Sequence, residues 1–219
     1  MPYAAVGAAV LNPNPDTLVS WADFLMGYGH WMPPIASGEM DMLPGHNGSF
    51  KRAALLRFGD ELAALIEIEI AVQARLRAAG EKLYLESRAQ FYHLNFSRYR
   101  TWLPAIFVNG RVYAAGRRRE WSALKRLIYA GGSFLIPLVR IGRIRQDVRD
   151  PAQRRALFPR IVPVLLLGLF TSAMGEMFGY ALGSGRASRD LVRYEFNRVR
   201  DVRPSDLTVA SIESTHESA

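Results

Sequence analysis

The chain has 219 residues, no cysteine, 49% hydrophobic residues and a formal net charge of +8. That apolar share excludes intrinsic disorder over most of the length, and the lack of cysteine excludes a disulfide scaffold, cysteine catalysis and thiolate metal sites. The charge is uneven: residues 1–97 hold 7 basic and 10 acidic side chains, residues 98–160 hold 15 and 3, and residues 161–219 hold 6 and 7.

In chain order, residues 3–11 are small and β-branched apolar residues that predict a buried strand. Asn12-Pro-Asn-Pro15 breaks it. Asp16 then offers an N-cap for a helix that carries Trp21 and Phe24 and stops at Gly27 and Gly29. Residues 30–47 read as a long loop with one short strand near 40–43, and loops of that length tend to be functional. Residues 50–57 predict a short helix ending at Gly59. A longer helix follows over 60–79, closed by Gly80. Residues 82–85 and 89–92 predict two short strands. From Phe96 the pattern is helical, with breaks expected at Pro104, Gly131-Gly132, Pro137 and Pro151. Residues 203–219 lack apolar periodicity and predict a disordered tail. No cationic leader with a cleavage site precedes the first strand, so no signal peptide is expected. No internal repeat is visible.

Within residues 60–79, Leu62, Leu65, Ile66, Val72 and Leu76 form a stripe at helical spacing, and Glu69 falls in its middle. Glu67 lies about 200° away and faces solvent. A carboxylate on an apolar face is desolvated, which raises its pKa and suits it to accept a proton near neutrality. Pairing of Glu69 with a core arginine, Arg98 or Arg100, accounts for the same placement. A lone His93 reads by itself as a structural hydrogen-bonding residue, and Trp21 and Trp31 as packing residues that could also stack on a sugar ring.

Three segments occur in a telling order: Gly45-His-Asn-Gly-Ser-Phe-Lys-Arg52, then Glu69-Ile-Ala-Val-Gln-Ala-Arg75-Leu-Arg-Ala-Ala-Gly80, then His93. Together they resemble the carboxyl-terminal half of family 2 glycosyltransferases. The resemblance covers about residues 1–100, and the remainder looks like the hydrophobic, basic extension of some bacterial members. It implies an α/β fold, mostly helical here: a partial GT-A-like domain with a few short strands and a helical, membrane-associating extension. It also implies inverting transfer of a sugar from a nucleotide-sugar donor. Glu69 would be the general base, with Asn47, Arg52 and Trp31 on the acceptor side and His93 near a metal or the donor diphosphate. A divalent cation, Mg or Mn, would bridge that diphosphate. The sequence departs from the family at Ile68, where the first acid of a Glu-Asp pair is expected. It also lacks the nucleotide-binding half with its Asp-x-Asp motif. Asp41 in Glu39-Met-Asp41 is out of order and reads as chance. The expectation is therefore an incomplete enzyme, inactive alone, its first half truncated, lost or supplied as a separate chain. A non-catalytic membrane-surface or scaffold protein is the alternative.

Residues 161–182 would reach about 33 Å as a helix, long enough to cross a bilayer. They contain Glu176, which should face protein or headgroups. Residues 127–141 form a second, shorter apolar stretch. Between the two lie Arg140, Arg143, Arg145, Arg154 and Arg155, expected on lipid phosphates at the cytoplasmic face of a membrane. An ordinary helical hairpin with Glu176 bound to an arginine is the competing reading. Nucleic acid is not the expected partner of the basic block, because a long apolar run adjoins it. The expected organisation is a half-domain over 1–97, a basic and apolar extension over 98–202, and a tail from 203. The acceptor is expected to be a sugar or lipid-linked sugar.

Overall fold

The structure is a computed structural model and describes residues 2–45, 47–66, 69–118 and 121–207, without the side chains of Ala64, Glu69 and Ile70. It is mostly helical, with a small mixed four-stranded sheet. The chain forms two compact units, Met1–Leu11 with Tyr28–His93, and Asn12–Gly27 with Leu94–Ala219. The segment Asn12–Gly27 packs with the second unit.

The first unit is built on the sheet. Strand β1 (Tyr3–Leu11) lies between β4 (Lys82–Tyr92), which runs parallel to it, and β3 (Ser49–Phe50), which runs antiparallel. Strand β2 (Gly38–Met40) pairs antiparallel with the outer side of β4. Ala4, Ala5, Ala9 and Val10 of β1 are all buried, so both faces of this strand are covered, as its run of small apolar residues requires. The two strands expected over 82–92 are one strand. The register jumps from Ala8↔Glu86 to Ala9↔Gln90, so Ser87, Arg88 and Ala89 bulge out of the ladder. That polar bulge is the interruption the sequence pattern registers.

The helix expected over residues 60–79 is described in two stretches, on either side of residues 67–68. A short 3₁₀ turn at Gly59–Glu61 leads into α3 (Leu62–Ile66), and α4 spans Glu69–Ala78, after α2 (Arg52–Leu56) earlier in the chain. Ile66 is half exposed, which takes it out of the expected apolar stripe. Val72 and Leu76 of α4 are buried. Gly80 ends α4 with φ +81, and the Glu81 N–H donates to the Leu76 carbonyl, the bond a left-handed glycine permits.

The second unit is helical. Helix α1 (Leu18–Gly27) starts one residue later than expected, because the Thr17 hydroxyl, not Asp16, accepts from the Ser20 N–H at 3.0 Å. The Asn-Pro-Asn-Pro segment is held by Asn95. Asn14 and Asn95 exchange two hydrogen bonds, of 2.8 and 3.1 Å, and Asn95 donates its amide to Asn12. Helices α5 (Tyr99–Arg117) and α8 (Pro151–Leu182) form the body of the unit. Their backbones touch at three glycines: a Cβ on Gly110, Gly175 or Gly179 would collide with a main-chain carbonyl of the other helix.

Pro104 does not end α5, and Pro159 and Pro163 lie within α8. This close packing outweighs the hydrogen bond each proline removes. Helices α6 (Ala123–Gly132) and α7 (Ile136–Asp147) are joined by a 3₁₀ turn, and α9 (Ala187–Phe196) follows α8. The expected tail is ordered at its start: residues 204–207 make a helical turn. There the buried Asp206 accepts from Ser97 at 2.6 Å and from the Arg203 N–H at 2.8 Å. Residues 208–219 lie outside the described residues.

Candidate functional site

In the first unit the candidate residues gather where β1 and β4 end. The strands stop together at Leu11↔Tyr92, and the His93 N–H donates to the Leu11 carbonyl at 3.0 Å. The His93 ring lies 4.2 Å from the Tyr28 ring, centroid to centroid. Tyr28 leads into the 3₁₀ turn Gly29–Trp31, whose Trp31 ring contacts both Tyr28 and His30. Two imidazoles and two aromatic rings thus sit at the carboxyl ends of two parallel strands, the end of such a sheet where ligands bind.

The loop before Gly45 is fastened over this sheet. Gly7 of β1 has no side chain, and a Cβ there would press on Leu43 and Pro44. The buried Gln73 amide of α4 accepts from the Leu43 N–H at 2.7 Å and donates to the Leu43 carbonyl at 3.1 Å. Glu69 opens the same helix one turn before Gln73. The side chain of Glu69 lies outside the described residues, so its expected burial and its pairing with Arg98 or Arg100 are not among the structural findings. Gln73 is a site-shaping residue that sequence reasoning missed; a lone amide between Val72 and Leu76 was its signal.

The expected acceptor-side residues separate. The β1–β3 register pairs Ala5 with Phe50 and Val6 with Ser49. Asn47 therefore lies toward the carboxyl end of β1 and Arg52 toward its amino end. Asn47 takes φ +63, a left-handed turn conformation that asparagine tolerates. Arg52 is exposed at the start of α2. Trp31 is only 6% exposed and donates its indole N–H to the Met42 carbonyl at 3.0 Å. It is thus a packed wall of the site, not an open stacking platform. Asp41 pairs with Arg77 at 2.6 Å. Among the described residues no three His, Asp or Glu side chains converge to hold a metal ion. The described residues do not by themselves make the expected Mg or Mn centre, and the His93 ring lies against Tyr28.

The second unit has a different character. Two of its helical stretches, Ala123–Asp147 and Pro151–Leu182, are long and apolar enough to cross a membrane. Half of the apolar window of Pro151–Leu182 is buried, against 22% for Ala123–Asp147, so α6 and α7 turn most of their apolar surface outward. Glu176 is buried, with the charges of Arg140 and Arg117 acting on it. Of the arginines expected on lipid phosphates, Arg143, Arg145 and Arg155 are exposed. Arg140 instead donates to the Met26 carbonyl at 2.9 Å, and Arg154 donates to the carbonyls of Val148 and Arg149. Those two therefore brace the helices with part of their donor set.

Asp23 is the other chemically loaded residue of this unit. It accepts from the Phe96 N–H at 2.9 Å and the Trp102 indole at 3.0 Å, and Arg198 stands 3.4 Å away. Burial raises its pKa to about 6, against the opposing pull of Arg198. With three fixed donors around it, this carboxylate ties α1 to α5 and to the turn after α9. Comparison of the chain with protein-family models, with curated proteins and with solved structures found no match.

Proposed function

We propose that this chain is the acceptor-side half of an inverting, membrane-associated glycosyltransferase that resembles family 2, its sheet unit being part of a GT-A-like domain. The observation that carries the reading is the pair of hydrogen bonds by which Gln73 of α4 holds Leu43, two residues before the Gly45 segment, in the same unit as the aromatic and imidazole cluster at the ends of β1 and β4. This brings the three segments of the resemblance into one unit. In the proposed reaction Glu69 takes the proton of an acceptor hydroxyl. The oxygen then bonds to the anomeric carbon of the donor sugar while the nucleotide diphosphate leaves with the electron pair of the broken bond. Asn47 and His93 line the approach of acceptor and diphosphate. Donor binding, with any divalent cation, is left to a nucleotide-binding half in the same or another polypeptide.

Membrane association is the second part of the proposal. Exposed apolar residues on α6 and α7, with Arg143, Arg145 and Arg155 nearby, suit the cytoplasmic face of an anionic bilayer. The same surface favours the alternative of a non-catalytic membrane scaffold, because it serves attachment whether or not transfer occurs. Glu69→Gln decides between them. In a preparation that holds the nucleotide-binding half, it is expected to lower kcat roughly 100- to 10,000-fold, with a small change in KM for the acceptor. Transfer within twofold of the parent would remove Glu69 as the base.

A further inference from the structure

Arg117, at the end of α5, and Lys125, on α6, both stand over the ring of Trp121, at 5.5 and 4.3 Å from its centroid. Tyr180 of α8 stacks with the same indole at 5.5 Å with the two ring planes 10° apart, and Tyr129 closes the group at 4.5 Å. Arg117 also reaches the Tyr180 hydroxyl at 3.3 Å. Among the described residues no carboxylate forms an ion pair with Arg117 or Lys125. Glu176 acts on Arg117 but is shared with Arg140. Arg126, one residue on, keeps a buried Nε–H without an acceptor. Two exposed cations brought to one indole ring repel each other, and an anion at this position would relieve that repulsion.

The surroundings indicate which anion. Leu124, Leu127 and Ile128 form one strip of α6 and are 61–68% exposed. Ala130, about 115° around the helix from this strip, is buried against Ala114 and Tyr180. Lys125 flanks the strip on its other side, about 105° away, with Tyr129 farther round. Exposed leucines with a lysine at their flank, and a tryptophan and a tyrosine beyond it, are the arrangement of a helix lying in a bilayer interface, its aromatic rings and ammonium at headgroup depth.

We propose that Arg117 and Lys125, set over Trp121, form a headgroup site for the phosphate of an anionic membrane phospholipid, while the Leu124, Leu127 and Ile128 strip of α6 enters the acyl region. The site rests on the membrane part of the functional reading and is independent of the transfer chemistry. It places α6 in the membrane plane, with the end of α5 above it.

The test uses the full chain and vesicles of phosphatidylcholine, alone or with 30% phosphatidylglycerol. The parent is expected to partition more strongly onto the anionic vesicles. Arg117→Gln with Lys125→Gln should remove about 25-fold of that preference, about five-fold per charge, and leave binding to neutral vesicles unchanged, which also shows that the variant is folded. Brominated phosphatidylglycerol should quench the parent's tryptophan emission more than that of Trp121→Phe. The site is overturned if Arg143→Gln with Arg145→Gln and Arg155→Gln removes the preference while the first pair does not. It is also overturned if inorganic phosphate displaces the vesicles better than chloride at equal ionic strength, which would mean a free-phosphate site, or if RNA competes at equal charge. Equal binding of the parent to neutral and anionic vesicles removes the site and leaves membrane association standing. No binding to either removes both.

Discussion

Asp23 stands in an apolar helix with a tryptophan and a phenylalanine for neighbours, and at first sight it is simply a polar residue on α1. Its surroundings make it a pH-dependent element. Its pKa is raised from 3.8 unfolded to about 6 in the fold, chiefly by burial. The folded state therefore holds the proton more tightly, so the stabilisation is full below pH 4 and is lost as pH rises through 6. That rise corresponds to roughly 3 kcal/mol at most. Asp23→Asn cannot ionise, so its stability relative to the parent should improve by up to that amount between pH 4 and pH 7 in urea titrations. Parallel curves for the two proteins would contradict this. Gln73 invites a similar test. Gln73→Leu leaves a buried N–H and a buried carbonyl of Leu43 unpaired, and is expected to cost about 3 kcal/mol. Such residues were only partly legible in the sequence. An isolated amide or carboxylate between apolar neighbours is visible there, but the backbone group it satisfies is 30 residues away for Gln73 and 73 for Asp23.

At the level of elements, the glycines of α5 and α8 separate close approach from open space. A Cβ on Gly175 would strike the Phe107 carbonyl, whereas one on Gly131 or Gly142 meets nothing within 4 Å. Gly175→Ala should therefore destabilise the helical unit by about 3 kcal/mol or more. Gly131→Ala and Gly142→Ala should be neutral or stabilise by up to about 1 kcal/mol, since alanine is the better helix former. Thermal unfolding of the three variants checks the contrast, and a tolerant Gly175→Ala would show that the two helices can separate slightly without loss. Elements whose apolar pattern is continuous, such as β1 and α8, were readable from sequence. For the helix expected over 60–79, Val72, Leu76 and the stop at Gly80 follow the sequence pattern, while Ile66 is half exposed, because periodicity gives the spacing of a stripe but not which of its turns meets a neighbour.

On the scale of the whole molecule, the charge separation seen in the sequence maps onto two units of different construction. The first is a small sheet with a cluster of rings at its strand ends. The second is a helical body whose outer helices expose leucine and isoleucine among arginines. If that body enters the bilayer, vesicle-bound protein should resist a wash with 1 M salt, because screening removes the electrostatic attraction but not apolar insertion. Complete release at high salt would limit the association to surface charge.

The sequence by itself determined the strand Tyr3–Leu11, the glycine stop at Gly80, the long apolar helix and the excess of basic residues in the middle of the chain. Each is written in neighbouring residues, through local periodicity, backbone freedom or plain counting. Tertiary structure alone decided that Asn12–Gly27 joins the helical unit, that Trp31 is walled in, and that Arg140 braces a helix. It also brought Arg117 and Lys125 to one indole. Those outcomes depend on which distant backbone carbonyl or ring lies within reach of a side chain, and no local pattern carries that distance.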